Sequence, residues 1–323
     1  MMEHIFVTGA SGFLGRGLLS RLQSDGSHSL SASVRTLSVS LPENVKVHMM
    51  GSIDADTPWV SALNGVDVVV HCAARVHVMA DTFQDPLQAF RKVNVDGTLK
   101  LAREAANAGV RRFIFISSIK VNGEQTEPDR PFTAEDIPHP LDPYGTSKME
   151  AETALFELAG TVDMDVVVIR PVLVYGPGVK ANFLSMMHWL DKGVPLPFGA
   201  IHNCRSLVAL DNLVDLIVTS INHPAAANQV FLVSDGEDLS TTQLLRRMAR
   251  ELEKSPRLLP VPNWVLSIAA NLLGKRSLSQ RLCGSLQVDI TKTRELLQWE
   301  PPVSVDAALR LAAVHYMEHK NND

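Results

Sequence analysis

Three glycines in "FVTGASGFLGRGLL", Gly9, Gly12 and Gly15, directly follow an apolar run and open a stretch with helical spacing. No other feature narrows the possible folds as much. Glycines so placed permit a tight strand-to-helix turn. They also let a pyrophosphate approach the helix N-terminus, where free N–H groups and the macrodipole favour negative charge. The spacing is G-x-x-G-x-x-G, one residue wider at the first gap than the usual fingerprint. The strand before it and the helix after it are the context in which such a trio binds a dinucleotide.

The first half continues in the same alternation. "HIFVTG", "SLSASVR", "VKVHMMG", "VDVVVHCAA", "RRFIFISS" and "MDVVVIRP" read as strands, separated by helical stretches such as "QAFRKVNVDGTLKLAREAANAG". Most are continuous apolar runs, as expected when helices cover both faces of a parallel sheet. The expected fold class is therefore α/β, a Rossmann-type doubly wound parallel sheet. Residues 1–171 are expected to form the dinucleotide-binding domain, and residues 172–323 a smaller, α-rich, mainly substrate-binding region that returns a strand near 229–235 to the sheet.

Cofactor choice is read at the end of the second strand, where an acidic side chain would hold the adenosine ribose. "SLSASVRT" has none there, and Arg35 stands in its place. A guanidinium suits a 2′-phosphate by charge and geometry, so NADP is expected, with NAD as the alternative.

The 323 residues carry 30 basic and 35 acidic side chains with no Lys/Arg run, which excludes the electrostatic footprint of a nucleic-acid partner. The start, "MMEHIFVTGASG", lacks the basic region and unbroken apolar core of a signal peptide. The apolar segment "NWVLSIAANLLGKRSLSQRLCGSLQV" is cut by Asn271, Lys275 and Arg276, so it is expected to be a packed helix pair and no membrane partner is expected. Cys72, Cys204 and Cys283 follow no disulfide or zinc pattern, which fits a reducing cytoplasm. His315 and His319 share a helical spacing but lack a third ligand, and no metal is expected.

"LDPYGTSKMEAE" places Tyr144 four residues before Lys148 at a helix start. Taken alone, Asp142 and Pro143 open a helix on which Tyr144 is half-buried and Lys148 solvated; alternatively, Tyr144 is an acid that moves a proton.

The chain resembles the extended short-chain dehydrogenase/reductases, the nucleotide-sugar epimerases, dehydratases and reductases. The resemblance is carried by "TGASGFLG", "HCAA", "NVDGT", "SSIKVNG", "YGTSK", "RPVLVYGPG" and "RSLVALDNLVDL", in that order, and by the closing "QVDITKTRELLQWEPP". It implies that Tyr144 and Lys148 act with Ser118, and that Ser117 faces the cofactor or the helices behind. Moving a phenol from 10 to neutrality takes about 4 kcal/mol of differential stabilisation, for which Lys148 and an oxidised nicotinamide are suitable sources. It further implies a dinucleotide lined by Gly9, Gly12, Phe13, Leu14, Gly15, Arg35, Ala73, Ala74, Asn94, Tyr144, Lys148 and Pro171.

For a UDP-sugar, the resemblance points to Ser118, Asn182 and Arg205, with Arg276 and Arg281 as weaker candidates and Leu286 at a position that sets pocket size. Leu173 stands where many relatives carry an asparagine, and Lys120 and Asn122 flank the catalytic serine. Ile119 and Lys120 in place of acids argue against dehydration. Two reactions remain, both moving hydride at C4 of the sugar. Because of Arg35 and the missing acid, and because "SSIKVNGE" with "SLVALDNLVDLI" resembles the bacterial branch that carries it out, the expected one is reduction of a UDP-4-keto-6-deoxy-N-acetylhexosamine in polysaccharide synthesis. The alternative is a UDP-glucose or UDP-N-acetylglucosamine 4-epimerase, and a third reading is a non-catalytic dinucleotide sensor. The resemblance also implies a homodimer through the helices at about 84–109 and 144–160.

Overall fold

The computed structural model describes residues 2–36, 41–76, 85–127, 129–272 and 282–320. Its strands are β1 (Glu3–Thr8), β2 (His28–Val34), β3 (Lys46–Met49), β4 (Val68–His71), β5 (Arg112–Ile116), β6 (Asp165–Pro171), β7 (Leu173–Tyr175), β8 (Arg205–Ala209), β9 (Gln229–Val233) and β10 (Asp238–Leu239). Seven of them form one sheet in the order β3-β2-β1-β4-β5-β6-β9, and every pairing in it is parallel. Strand order reverses between β1 and β4, which places a crevice at their carboxyl ends.

The apolar runs form strands because both faces are covered. Along β1, Ile5 and Val7 enter one core while Phe6 enters the other. Ile114 and Ile116 of β5, and Val167 and Ile169 of β6, join the first core. Phe113, Phe115, Val166 and Val168 join the second. A period of two with both sets apolar is what makes the runs continuous.

The helices in chain order are α1 (Phe13–Asp25), α2 (Pro86–Arg91), α3 (Thr98–Asn107), α4 (Pro143–Ala159), α5 (Ala181–Asp191), α6 (Leu210–Asn222), α7 (Thr241–Glu251) and α8 (Asn263–Leu272), followed by Thr291–Leu297 and Val305–His319. A π-helical segment, Lys92–Gly97, joins α2 to α3, so the long helix read through this stretch has an irregular middle. A third core gathers Tyr175, Phe183, Met187, Leu245 and Leu309 from the second half. Phe13 packs against both this core and the first one.

Two features went unread in the sequence. Strands β7, β8 and β10 form a separate small sheet, and α8 exposes Trp264 and Ile268 rather than burying them as half of a packed pair. Residues 273–281, including Arg276 and Arg281, lie outside the described residues. Among the described residues no helix is long and apolar enough to cross a membrane.

Candidate active site

The glycine turn is shaped by close approach. Gly9 has φ +68°, and a Cβ there would lie 2.7 Å from the backbone nitrogen of Ala73. A Cβ on Gly15 would fall 2.3 Å from the carbonyl oxygen of Gly9. The turn is thus pressed against the end of β4, and Ala73 donates its N–H to Thr8 Oγ1 at 3.3 Å. Gly12 caps α1 without a side-chain bond, and no acid occupies the first turn. The first N–H groups of α1 therefore face a strip of bare backbone, a cradle that fits a pyrophosphate. Below it, His71 lies between Thr8 Oγ1 at 2.7 Å and Thr98 Oγ1 at 3.0 Å. Burial, and next the charge of Lys148, lower its pKa to about 3, so it stays neutral.

Ser118 and Tyr144 are brought together by two short turns. Ser118 ends the segment after β5 and caps the 3-10 turn Ile119–Val121, accepting from the Lys120 N–H at 3.3 Å. Asp142 caps α4 and accepts from the Gly145 N–H at 2.6 Å. Gly145 packs on the first turn so closely that a Cβ would meet Lys120 O at 2.7 Å. The Ser118 side chain lies close enough to the Tyr144 phenol to act on its ionisation, in the lowering direction.

The protein's own groups raise the Tyr144 phenol rather than lower it. Burial, and next the Asp142 carboxylate, push it up to about 12 against the lowering effect of Ser118. Lys148 is not solvated. It is 1% exposed, its Nζ lies 3.9 Å from the centroid of the Phe115 ring, and burial lowers its pKa to about 7 against the opposing pull of Glu152 and Cys72. Low polarity disfavours charge on both members of the pair.

Around this group sits a polar frame that sequence reading had only in fragments. Ser117 donates to Glu152, so of its two expected orientations it takes the one toward the helix behind. Glu152 also receives Arg170 Nη2 at 2.6 Å, and Arg170 Nη1 reaches Asn122 Oδ1 at 2.9 Å. Asn122 is therefore a buried bracket. Lys120, read as a loop cation, is paired with Asp142 and with Glu124 at 2.8 Å. The signal for Glu152 was its position four residues after Lys148, on the same face of α4.

Asn94 is buried, accepts from the Arg75 N–H at 2.8 Å and donates to Ser147 Oγ at 3.0 Å. Ser147 in turn donates to the Tyr144 carbonyl at 2.8 Å. Asn94 thus links the loop after β4, where Ala73 and Ala74 sit, to the helix of Tyr144 and Lys148. Pro171 is buried at the end of β6, and Leu14 packs on the first core. Arg35 is exposed one residue beyond β2.

The residues expected at the sugar-diphosphate end are more scattered. Arg205 starts β8, bridges to Leu286, and donates to the Gly284 carbonyl at 3.0 Å. Leu286 is buried in the first core. The same C-terminal strip holds the segment after Ser118, through Phe132 N–H to Gln287 O at 2.9 Å and Asp289 N–H to Phe132 O at 2.8 Å. A cleft of about 980 Å³, lined by residues from Asn122 to Leu141, lies beside that strip. Asn182 is exposed in the first turn of α5, which packs on α7 and the C-terminal helix rather than on α4. Leu173 is 48% exposed at the start of β7. His315 and His319 stack on each other with centroids 4.1 Å apart.

Known proteins resemble this chain over most or nearly all of its length. A Vibrio cholerae UDP-glucose 4-epimerase is 48% identical over 99% of this chain and 98% of its own. An Escherichia coli O157:H7 N-acetyl-alpha-D-glucosaminyl-diphospho-ditrans,octacis-undecaprenol 4-epimerase is 28% identical over 90% of this chain and 89% of its own. The crystal structure of a Thermotoga maritima UDP-glucose 4-epimerase with UDP-glucose superposes with a TM-score of 0.77 at 24% identity, covering 98% of this chain and 99% of that one, a likeness of fold. The profile of the NAD dependent epimerase/dehydratase family matches residues 5–234. With a glycine cradle at the β1–β4 crevice and a serine–tyrosine pair beside it, the chain belongs to the NAD dependent epimerase/dehydratase family.

Proposed function

We propose that the protein is a UDP-hexose 4-epimerase that keeps its NAD through the reaction. The observation that carries this over the reductase reading is the 48% identity, along nearly all of both chains, to a UDP-glucose 4-epimerase. Reductase and epimerase need the same proton-handling residues, so the Ser118–Tyr144 pair supports both. The NADP preference rested on Arg35, an exposed side chain at a strand end, and on the absence of an acid there.

In this reading Gly9, Gly12 and Gly15 hold the pyrophosphate at the start of α1. Phe13, Leu14, Ala73, Ala74 and Pro171 shape the walls, and Asn94 positions the loop after β4. The nicotinamide, when bound, supplies the hydride acceptor and donor together with a positive ring charge. Tyr144 takes the proton of the sugar C4 hydroxyl and later returns it. Ser118 holds the same oxygen through a hydrogen bond and lowers the cost of phenolate. Lys148 carries its proton up to about pH 7, and its ammonium favours phenolate one helical turn away. Arg205, Asn182 and Leu286 are assigned to the nucleotide-sugar side.

The test is the dinucleotide content of purified protein, followed by assay with UDP-glucose and with UDP-N-acetylglucosamine. Retained NAD and interconversion with the galacto forms, without net change in NADH absorbance, is the expected result. Cofactor-free protein that oxidises NADPH stoichiometrically with a UDP-4-keto-6-deoxy-N-acetylhexosamine would instead establish the reductase, the reading that the absence of an acid beside Arg35 favours.

A further inference from the structure

Glu152 and Arg170 are both 4% exposed, and the guanidinium lies against the carboxylate: Arg170 Nε donates to Oε1 at 3.0 Å and Nη2 to Oε2 at 2.6 Å. Each group has one further partner beside Ser118. Ser117, the residue before it, donates to Glu152, and Asn122, which ends the turn that Ser118 caps, accepts from Arg170 Nη1 at 2.9 Å. The Ser117 N–H also donates to the carbonyl of Ile169, the residue before Arg170, at 2.7 Å. Three elements thus meet at one buried ion pair: β6, α4 and the segment that carries Ser118.

Stability is a poor reason for such a pair. Withdrawing both charges from water costs about as much as their attraction gives back, and well-packed apolar residues often do as well. Position is the better guide. Glu152 lies one turn beyond Lys148 on α4, and its charge opposes the lowering of Lys148 by burial. The other titratable groups around Lys148 bring no such charge. His71 at the end of β4 is neutral, Cys72 beyond it is kept a thiol by burial, which raises it to about 12, and Tyr144 one turn earlier is a phenol. Arg170 and Ser117 occupy the carboxylate, while the Lys148 ammonium sits over the Phe115 ring, so Glu152 acts on Lys148 through its charge.

We propose that Glu152 and Arg170 are positioning residues of the reaction: together they hold the segment of Ser118 against the helix of Tyr144 and Lys148, and Glu152, restrained by Arg170, compensates the buried ammonium without drawing it away from Tyr144. The proposal rests on the reading of Ser118, Tyr144 and Lys148 as the proton-handling group, which epimerase and reductase share.

Two measurements on the full chain test it: the titration midpoint of Lys148, followed by NMR of isotope-labelled lysine and assigned by its absence in Lys148→Met, and kcat and KM with UDP-glucose. Glu152→Gln keeps an acceptor for Ser117 and Arg170 and should lower the midpoint by about one pH unit or more. Arg170→Met frees Glu152 to reach the ammonium and should raise it. Both should lower kcat by about tenfold to 100-fold, with KM changed less than about twofold. Each single variant leaves a buried group without its partner, so Glu152→Leu/Arg170→Met controls for folding. It should melt close to the parent, retain its dinucleotide, and still show the lower midpoint and the lower kcat. Midpoints that move in the same direction in the two single variants, or parent values of midpoint and kcat in the double variant, would overturn the proposal. The midpoints need no turnover: a parent that leaves UDP-glucose unchanged contradicts the proposed substrate, and the midpoints alone then decide on the pair. Turnover retained by Tyr144→Phe would instead bring down the proton-handling reading itself.

Discussion

The Lys120 ammonium is paired with the carboxylate of Asp142, the residue that caps the helix carrying Tyr144. The carboxylate raises the pKa of the phenol, so removing its charge should make Tyr144 easier to ionise. Asp142→Asn keeps the cap, because an asparagine oxygen also accepts from the Gly145 N–H. The ascending limb of the pH–rate profile, set by ionisation of the Tyr144 phenol, should move to lower pH in this variant, and to higher pH in Lys120→Met, where the carboxylate loses its counter-ion. Opposite movements in the two variants are the check; movement in the same direction would mean that the pair acts only through structure.

Substitution of the proton-handling pair should separate chemistry from binding. Tyr144→Phe should lower kcat by about 100-fold to 10,000-fold while the dinucleotide content of the purified protein stays unchanged. Ser118→Ala removes the side chain that lowers the phenol pKa, so it should slow turnover by about 100-fold and shift the ascending limb to higher pH. Loss of dinucleotide in Tyr144→Phe would contradict the assignment.

Lys148 should cost stability where it is charged. Its folded pKa of about 7 lies below the ordinary value of 10.5, so between these pH values the unfolded chain binds more protons and stability rises with pH. The penalty is complete below about pH 7. Lys148→Met should therefore raise the melting temperature at pH 6, at about 2–4 °C per kcal/mol for a large domain, and the gain should fade as pH rises toward 10.5. Glu152 keeps Arg170 and Ser117 as partners in that variant. A melting temperature that falls at pH 6 would show that the ammonium stabilises the fold.

Two glycines with similar backbone angles should respond differently to alanine. Gly26 has φ +64° with nothing within 4 Å of a Cβ, so Gly26→Ala should cost only the left-handed penalty, about 1–2 kcal/mol by denaturant titration. Gly9→Ala adds a clash with the Ala73 backbone to a similar φ, so it should cost more and also lower dinucleotide content.

The parallel sheet and the glycine turn were legible because both rest on local patterns: apolar runs of strand length, and small residues at a strand-to-helix junction. Tyr144, Lys148 and Ser118 were singled out by their motifs, and the structure sets Ser118 beside Tyr144. What the sequence could not carry was environment. The pKa of Lys148 is set first by burial, with the Phe115 ring of β5 beside its ammonium, and then by Glu152 and by Cys72 just beyond β4, and the anchoring of Tyr175 on Asp235 at 2.8 Å joins residues sixty apart. The small sheet escaped because β7 and β10 have only three and two residues. Reductase was preferred over epimerase on Arg35, on the missing acid at the end of β2, and on the likeness of "SSIKVNGE" and "SLVALDNLVDLI" to a bacterial reductase branch. Residues that handle the same proton in both reactions offered no further vote.

Strand β9 pairs with β6 at the margin of the sheet, although 57 residues separate the end of one from the start of the other. A gene cut after codon 171 would therefore encode a fragment whose last strand exposes an open row of N–H and C=O groups between apolar side chains. Such a fragment would recruit another strand, from its own kind or from elsewhere, and precipitate. The glycine turn alone cannot be harvested as a portable nucleotide-binding cassette: the gene's second half supplies the selvedge that keeps the first half from fraying.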